Sequence, residues 1–197
     1  VVTPEEILPK LVEDIDFFRN SGGGVTLSGG EPLLQAKFSA ELLKLLKEKG
    51  VNTAVDTCLY ASRESLDAVL PYTDTFLVDV KAIDSALHKE LTGVENRKIL
   101  DNIRYLDAKG KRMEIRIPYI PGLNDGEMGA IASFLAELKS IVRVKVLPYH
   151  DYAVSKYESL GKPYPTDAAL PSREECDAAR ELLRHAGLTV APDPHGA

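Results

Sequence analysis

Ser21-Gly22-Gly23-Gly24-Val25-Thr26-Leu27-Ser28-Gly29-Gly30-Glu31-Pro32 is the stretch on which the fold turns. Val25-Thr26-Leu27 reads as a short strand. Beyond it, from about Leu33 to Lys49, Leu34, Phe38, Leu42, Leu45 and Leu46 recur at helical spacing, with Gly50 just past the end. A strand, a glycine turn and an amphipathic helix make one βα unit. The cadence then repeats. Asn52 to Asp56 reads as a strand, followed by a helix near Ser62 to Leu70 that stops before Pro71. Phe76 to Val80 reads as a strand, with helical stretches around Ser85 to Thr92 and Lys98 to Lys109 after it. Arg112 to Ile117 is a strand, Gly126 to Lys139 a helix and Val142 to Leu147 a strand. Tyr149 to Leu170 reads as a long loop, Ser172 to His185 as a last helix, and Leu188-Thr189-Val190 as a short apolar run before a proline-containing tail. Strands alternating with helices predict the α/β class and a parallel sheet. The cadence gives five strands of a parallel barrel or open sheet; a closed barrel of eight such units takes about 250 residues, so 197 residues predict one domain, 1–197, and a barrel only as a partial parallel (βα) one of TIM-like type.

Composition narrows the function. An apolar content of 44% is enough for a sizeable core, and a formal charge of −6 argues against nucleic acid or an acidic membrane as partner, since either would repel the averaged field of the protein. No apolar run approaches the roughly 20 residues that span a bilayer. Val1 to Ile7 carry Glu5 and Glu6 where a secretion leader would be basic and then apolar, so a cytoplasmic location is expected. The two cysteines, Cys58 and Cys176, stand in no metal-ligand spacing and read as thiols of a reducing compartment.

Polar residues on the strands point to a site. In Phe76-Leu77-Val78-Asp79-Val80-Lys81, Phe76, Val78 and Val80 share one face, while Asp79 and Lys81 share the other at the carboxyl end. In Arg112 to Ile117, Met113, Ile115 and Ile117 leave Glu114 and Arg116 opposite. Loops and polar side chains converge at the carboxyl ends of parallel strands. Asp56, Asp79, Lys81, Glu114 and Arg116 are therefore expected to line one pocket of mixed charge, against the alternative that some only form internal ion pairs. The glycine turn admits several readings on its own. A phosphate-binding loop needs Lys-Ser or Lys-Thr after the glycines, and none follows. Leu27-Ser28-Gly29-Gly30-Glu31 also looks like the signature of ATP-binding-cassette ATPases, which need a phosphate loop elsewhere. A turn with no ligand is the third reading.

The order of motifs decides between them: Gly-Gly-Glu-Pro after one strand, Asp56-Thr57-Cys58 after the next, Asp79-Val80-Lys81 after the next, then Arg116-Ile117-Pro118-Tyr119-Ile120-Pro121-Gly122-Leu123-Asn124-Asp125, then Leu147-Pro148-Tyr149-His150. This series, running from Val2 to Val190, resembles the activating enzymes of pyruvate formate-lyase and related glycyl-radical enzymes, members of the radical S-adenosylmethionine superfamily. The resemblance implies a partial barrel without its first βα unit, the part that in the family carries a Cys-x-x-x-Cys-x-x-Cys motif, so that the sequence begins at the helix leading to the second strand. It implies that the Gly29-Gly30-Glu31 backbone receives the amino group of the methionine moiety, that Asp79, Val80 and Lys81 flank the cofactor, and that His150 contacts its nucleoside. By the same resemblance Asp56 and Asp79 hold a sodium or potassium ion, and Arg116 lines the entry of a partner's glycine loop, with Asp56 and Arg116 as the catalytic pair. Two positions depart from the family: Leu59 and Ala153 stand where relatives often have glycine.

The implied activity is generation of a glycyl radical on such a partner by reductive cleavage of S-adenosylmethionine to methionine and a 5'-deoxyadenosyl radical. The implied cofactors are S-adenosylmethionine and, in the full-length protein only, a 4Fe-4S cluster, with reduced flavodoxin or ferredoxin as electron donor. These 197 residues alone are expected to be inactive. The alternatives are a radical enzyme acting on another peptide or a nucleotide, and a cluster-free scaffold.

Overall fold

Thr3 opens the first helix. Its hydroxyl accepts the Glu6 N–H at 3.3 Å, the Glu6 carboxylate accepts the Thr3 N–H at 2.8 Å, and Pro4 takes the first helical position. The structure is a computed structural model and describes residues 2–152, 154–163 and 167–192. Helix α1 spans Pro4–Leu11 and α2 Ile15–Ser21, the latter ended by Gly22 at φ 70°. Then follow β1 (Gly24–Leu27), a 3-10 turn (Pro32–Gln35), α3 (Ala36–Glu48), β2 (Asn52–Thr57), α4 (Arg63–Val69) and β3 (Thr75–Asp79). The chain continues through α5 (Ser85–Thr92), α6 (Arg97–Ala108), β4 (Arg112–Tyr119), α7 (Met128–Ala136), β5 (Ile141–Pro148), α8 (Val154–Ser159) and α9 (Arg173–His185). The strands form one sheet in the order β1-β2-β3-β4-β5. β1 and β2 run parallel with Gly24 opposite Asn52, and β2 and β3 run parallel with Ala54 opposite Thr75. This is the α/β architecture that the alternating pattern predicts.

Two compact units make up the chain, residues 1–78 with 97–114 and residues 79–96 with 115–197. In the first, Leu42 and Leu46 of α3 pack with Val25 and Val51, and Ile7, Leu11, Phe18 and Phe38 close over them. Each such buried leucine contributes about 1.5–3 kcal/mol. In the second, α9 packs on α7 and on β5, burying Ile131, Leu135, Val144 and Leu183. The Leu188-Thr189-Val190 run joins this unit by a parallel bridge, Val144 to Val190, with the Val144 N–H donating to Thr189 O at 2.8 Å. Phe76, Val78 and Val80 are buried, as their shared face predicts, while Asp79 and Lys81 are half-buried.

Some expectations are corrected. The long loop from Tyr149 contains α8, because that stretch has no apolar stripe for a sequence pattern to detect. The helix expected over Gly126 to Lys139 is shorter: a 3-10 turn at Asp125–Glu127 leads into α7, which ends at Ala136. Glu114, read as either lining a pocket or forming an internal ion pair, is buried, a placement that both readings allow. Ala153 lies outside the described residues. Among the described residues no helix is long and apolar enough to cross a membrane.

The entry to β3 is tied to β2 by one carboxylate. Asp74 accepts from Lys47 Nζ at 2.8 Å and from the Thr53 N–H at 2.8 Å. Burial pushes the Asp74 carboxyl up, but the hydrogen bond from Lys47, the one from the Thr53 amide and the charge of Lys47 outweigh it, so the group lies below its usual range. A carboxyl lowered on folding stabilises the protein above its unfolded value near pH 4, and that stability is lost as the pH falls through the lowered folded value. The two side chains are 34% and 38% exposed, so solvent limits the contribution to below about 1 kcal/mol. Asp74→Asn is therefore expected to be less stable than the parent in urea at about pH 6, with the gap narrowing toward about pH 3.

Candidate functional site

After β1 the chain turns at Gly29 and Gly30, whose φ values of 89° and 58° lie in the region that favours glycine. No atom stands within 4 Å of where a Cβ would sit on either, so the turn presents bare backbone to open space. Glu31 anchors it. Its Oε1 accepts from Thr57 Oγ1 at 2.7 Å and from the Leu33 N–H at 3.1 Å, and its Oε2 accepts the Cys58 N–H at 2.9 Å. One carboxylate thus locks the turn after β1 to the Asp56-Thr57-Cys58 segment at the end of β2. Ser28 adds a second tie, its hydroxyl donating to Asp56 Oδ2 at 3.1 Å. Leu59 has φ 58°, which explains why glycine suits this place. A left-handed leucine costs about 1–2 kcal/mol, and the burial of its whole side chain offsets that by a similar amount. Its carbonyl accepts from the buried Asn102 at 2.9 Å.

The other predicted residues lie in the second unit. Asp79 Oδ1 accepts from Arg116 Nε at 2.9 Å and from Nη2 at 2.8 Å, and Lys81 Nζ lies 3.7 Å from Asp79 Oδ2. All three side chains are partly buried, so desolvation strengthens their mutual attraction. Two cations face one carboxylate at the end of β3. The Val80 N–H donates to Arg116 O at 2.9 Å and its side chain is buried. His150 is exposed and stacks on Tyr152, with ring centroids 4.3 Å apart.

The structure therefore brings Gly29, Gly30, Glu31 and Asp56 together, and separately Asp79, Val80, Lys81 and Arg116. Bare glycine backbone suits an ammonium group, whose hydrogens its carbonyls can accept, and a lysine ammonium suits a carboxylate. The ammonium and the carboxylate are the two ends of a methionine moiety, and each unit on its own offers groups suited to one of them. These residues do not fit an iron-sulfur cluster. The two cysteines cannot supply three thiolates, Cys58 is half-buried in one unit and Cys176 buried in the other, and among the described residues no three His, Cys, Asp or Glu side chains are grouped for a metal ion. Sequence reasoning assigned Glu31 by its backbone and missed its carboxylate as the anchor. The pairing of Arg116 with Asp79 was legible only as a shared polar face.

Comparison with known proteins follows the same line. The model of the radical S-adenosylmethionine superfamily matches residues 1–135. The chain is 41% identical to the choline trimethylamine-lyase activating enzyme of Oleidesulfovibrio alaskensis, over 93% of this chain and 64% of that protein, and so spans less than two thirds of that relative's length. It is 32% identical to the pyruvate formate-lyase 1-activating enzyme of Escherichia coli, over 96% of this chain and 79% of that one. Among solved structures, a domain of pyruvate-formate lyase-activating enzyme from Bacteroides vulgatus superposes with a TM-score of 0.74 at 35% identity, covering 86% of this chain and 98% of that domain. A superfamily match over more than half of the sequence, with a relative aligned along nearly all of it, leaves one placement: the chain belongs to the radical S-adenosylmethionine superfamily, among the activating enzymes of glycyl-radical enzymes.

Proposed function

We propose that the protein takes part in installing a glycyl radical on pyruvate formate-lyase or a related partner, by reductive cleavage of S-adenosylmethionine. The observation that carries this reading is the Gly29-Gly30 turn, held open by Glu31 against Thr57 and Cys58. Its carbonyls receive the methionine ammonium. Lys81, with its charge only partly offset by Asp79, meets the methionine carboxylate, and His150 lies along the nucleoside. Asp56 and Asp79 offer the hard oxygen donors that a sodium or potassium ion takes. Arg116 borders the entry of the partner's glycine segment. One electron reaching the sulfonium breaks a carbon–sulfur bond, giving methionine and the 5'-deoxyadenosyl radical, which then takes a hydrogen atom from the glycine. This chain's residues bind and orient the reactants, which is where protein effects on such chemistry lie. A 4Fe-4S cluster, for which these residues hold no ligands, would supply the electron from a reduced flavodoxin or ferredoxin, so the 197 residues alone are expected to bind S-adenosylmethionine without cleaving it.

The reading is tested anaerobically on a full-length form with reconstituted cluster, by 5'-deoxyadenosine production from S-adenosylmethionine in the presence of reductant. No product from a form whose cluster is spectroscopically intact sinks it. On the 197-residue chain, calorimetry is expected to find measurable affinity for S-adenosylmethionine, weakened roughly tenfold in Lys81→Ala, the scale of one partly solvated charged contact.

A further inference from the structure

The backbone that follows Lys81 is held by side chains from three other places in the second unit. Asn124, itself 2% exposed, donates through Nδ2 to Lys81 O at 2.8 Å and to Pro118 O at 2.6 Å, and its Oδ1 accepts the Ile120 N–H at 2.8 Å. The buried Asn96 donates to Ala82 O at 3.0 Å and to Ile83 O at 2.7 Å. Glu127 Oε2 accepts the N–H groups of Ile83 and Asp84 at 2.6 and 2.7 Å. Asp84 in turn caps α5 through the Leu87 N–H at 2.7 Å.

Buried backbone groups need partners, and any local turn could supply them. What distinguishes Asn124 is where its other bonds go. Pro118 and Ile120 belong to the stretch just after Arg116, so one amide joins the carbonyl of Lys81 to the segment that carries the other cation around Asp79. Lysine is a point charge on a flexible four-carbon stem, and the placement of its ammonium depends on where the stem is rooted. Lys81 and Asn124 also border the same cavity of about 420 Å³, with Thr92, Pro118 and Ile120. We infer that Asn124 is a positioning residue for Lys81: by clamping the Lys81 carbonyl to the chain after Arg116, it sets the reach of the Lys81 ammonium toward the carboxylate of the methionine moiety. Glu127 holds the far end of the same segment. The inference rests on the role given to Lys81 above, contact with the methionine carboxylate, and adds the residue that sets that contact.

Asn124→Asp keeps the size of the side chain and its acceptor for Ile120, but sets a carboxylate oxygen against the carbonyls of Lys81 and Pro118. Glu127→Ala, from a half-buried position, loosens the same segment and carries the test should the first variant not fold. Calorimetry on the 197-residue chain uses S-adenosylmethionine and its decarboxylated analogue. Each variant is expected to bind S-adenosylmethionine roughly tenfold more weakly, to bind the decarboxylated analogue as the parent does, and to add no further loss in a Lys81→Ala background. Equal weakening of both ligands, additivity with Lys81→Ala, or unchanged affinity overturns the inference and leaves the Lys81 assignment standing. If Lys81→Ala itself leaves affinity for S-adenosylmethionine unchanged, the lysine assignment falls and the positioning role with it.

Discussion

Gly24→Ala is expected to destabilise the protein by about 3 kcal/mol, the upper part of the range for forced overpacking. Gly24 pairs with Asn52 across β1 and β2, and a Cβ added to it would sit 2.0 Å from Asn52 O and 2.6 Å from Asn52 C. Both atoms are backbone, so no side-chain rotamer relieves the overlap and the two strands must part. Their separation also disturbs the Asn52 Nδ2 bond to Gly22 O at 3.0 Å and the packing of Val25 with Leu42 and Leu46. For a chain of this length the loss corresponds to a fall in melting temperature of roughly 6–12 °C. Gly126→Ala is the control: it lies outside the positive-φ set with nothing near its Cβ position, and its expected change is within about 0.5 kcal/mol. A Gly24→Ala melting within about 2 °C of the parent would show that the strands do not approach as closely as described.

That glycine also marks where sequence reading stopped. The period-two and period-3.6 patterns are legible because burial is periodic: Phe76, Val78 and Val80 on one strand, and Leu42 and Leu46 on one helix, are placed by the sequence pattern alone. The glycine run was legible only as a turn with backbone near a ligand. In the structure its members divide the work, Gly22 ending α2, Gly24 admitting Asn52, and Gly29 and Gly30 baring the backbone, and nothing local separates a glycine kept for close packing from one kept for conformation. Polar residues were harder still. Asn102, Asn124 and Glu127 look like solvated positions in a helix and a loop, yet each satisfies loop backbone groups from far along the chain: Asn102 holds Leu59 O and Ala61 O, and Glu127 holds Ile83 and Asp84. Those partnerships arise only when the fold brings unpaired carbonyls and amides near them. The charged residues at the strand ends were legible as a set, but not as pairs, since Arg116 could have met any of several carboxylates.

Glu31→Gln is expected to weaken S-adenosylmethionine binding about 100-fold and to cost about 2–3 kcal/mol of stability, although it changes one atom of a side chain assigned here no contact with the ligand. The carboxylate accepts three hydrogen bonds: Thr57 Oγ1 and the Leu33 N–H on one oxygen, the Cys58 N–H on the other. A glutamine has one oxygen to offer. Placed toward Thr57 and Leu33, it turns its NH₂ against the Cys58 N–H; placed toward Cys58, it turns that NH₂ against the Leu33 N–H. Either way one amide is left facing a donor, and the tie between the glycine turn and the Asp56-Thr57-Cys58 segment is broken at one end. Ser28→Ala removes only the exposed second tie to Asp56, and its expected effect on stability is below about 1 kcal/mol. Urea unfolding and calorimetry on the same samples separate two roles for Glu31. Loss of stability together with affinity means that the carboxylate holds the turn in the shape that receives the ammonium. Loss of stability with affinity intact would reduce Glu31 to a structural staple and remove the glycine turn from the binding site.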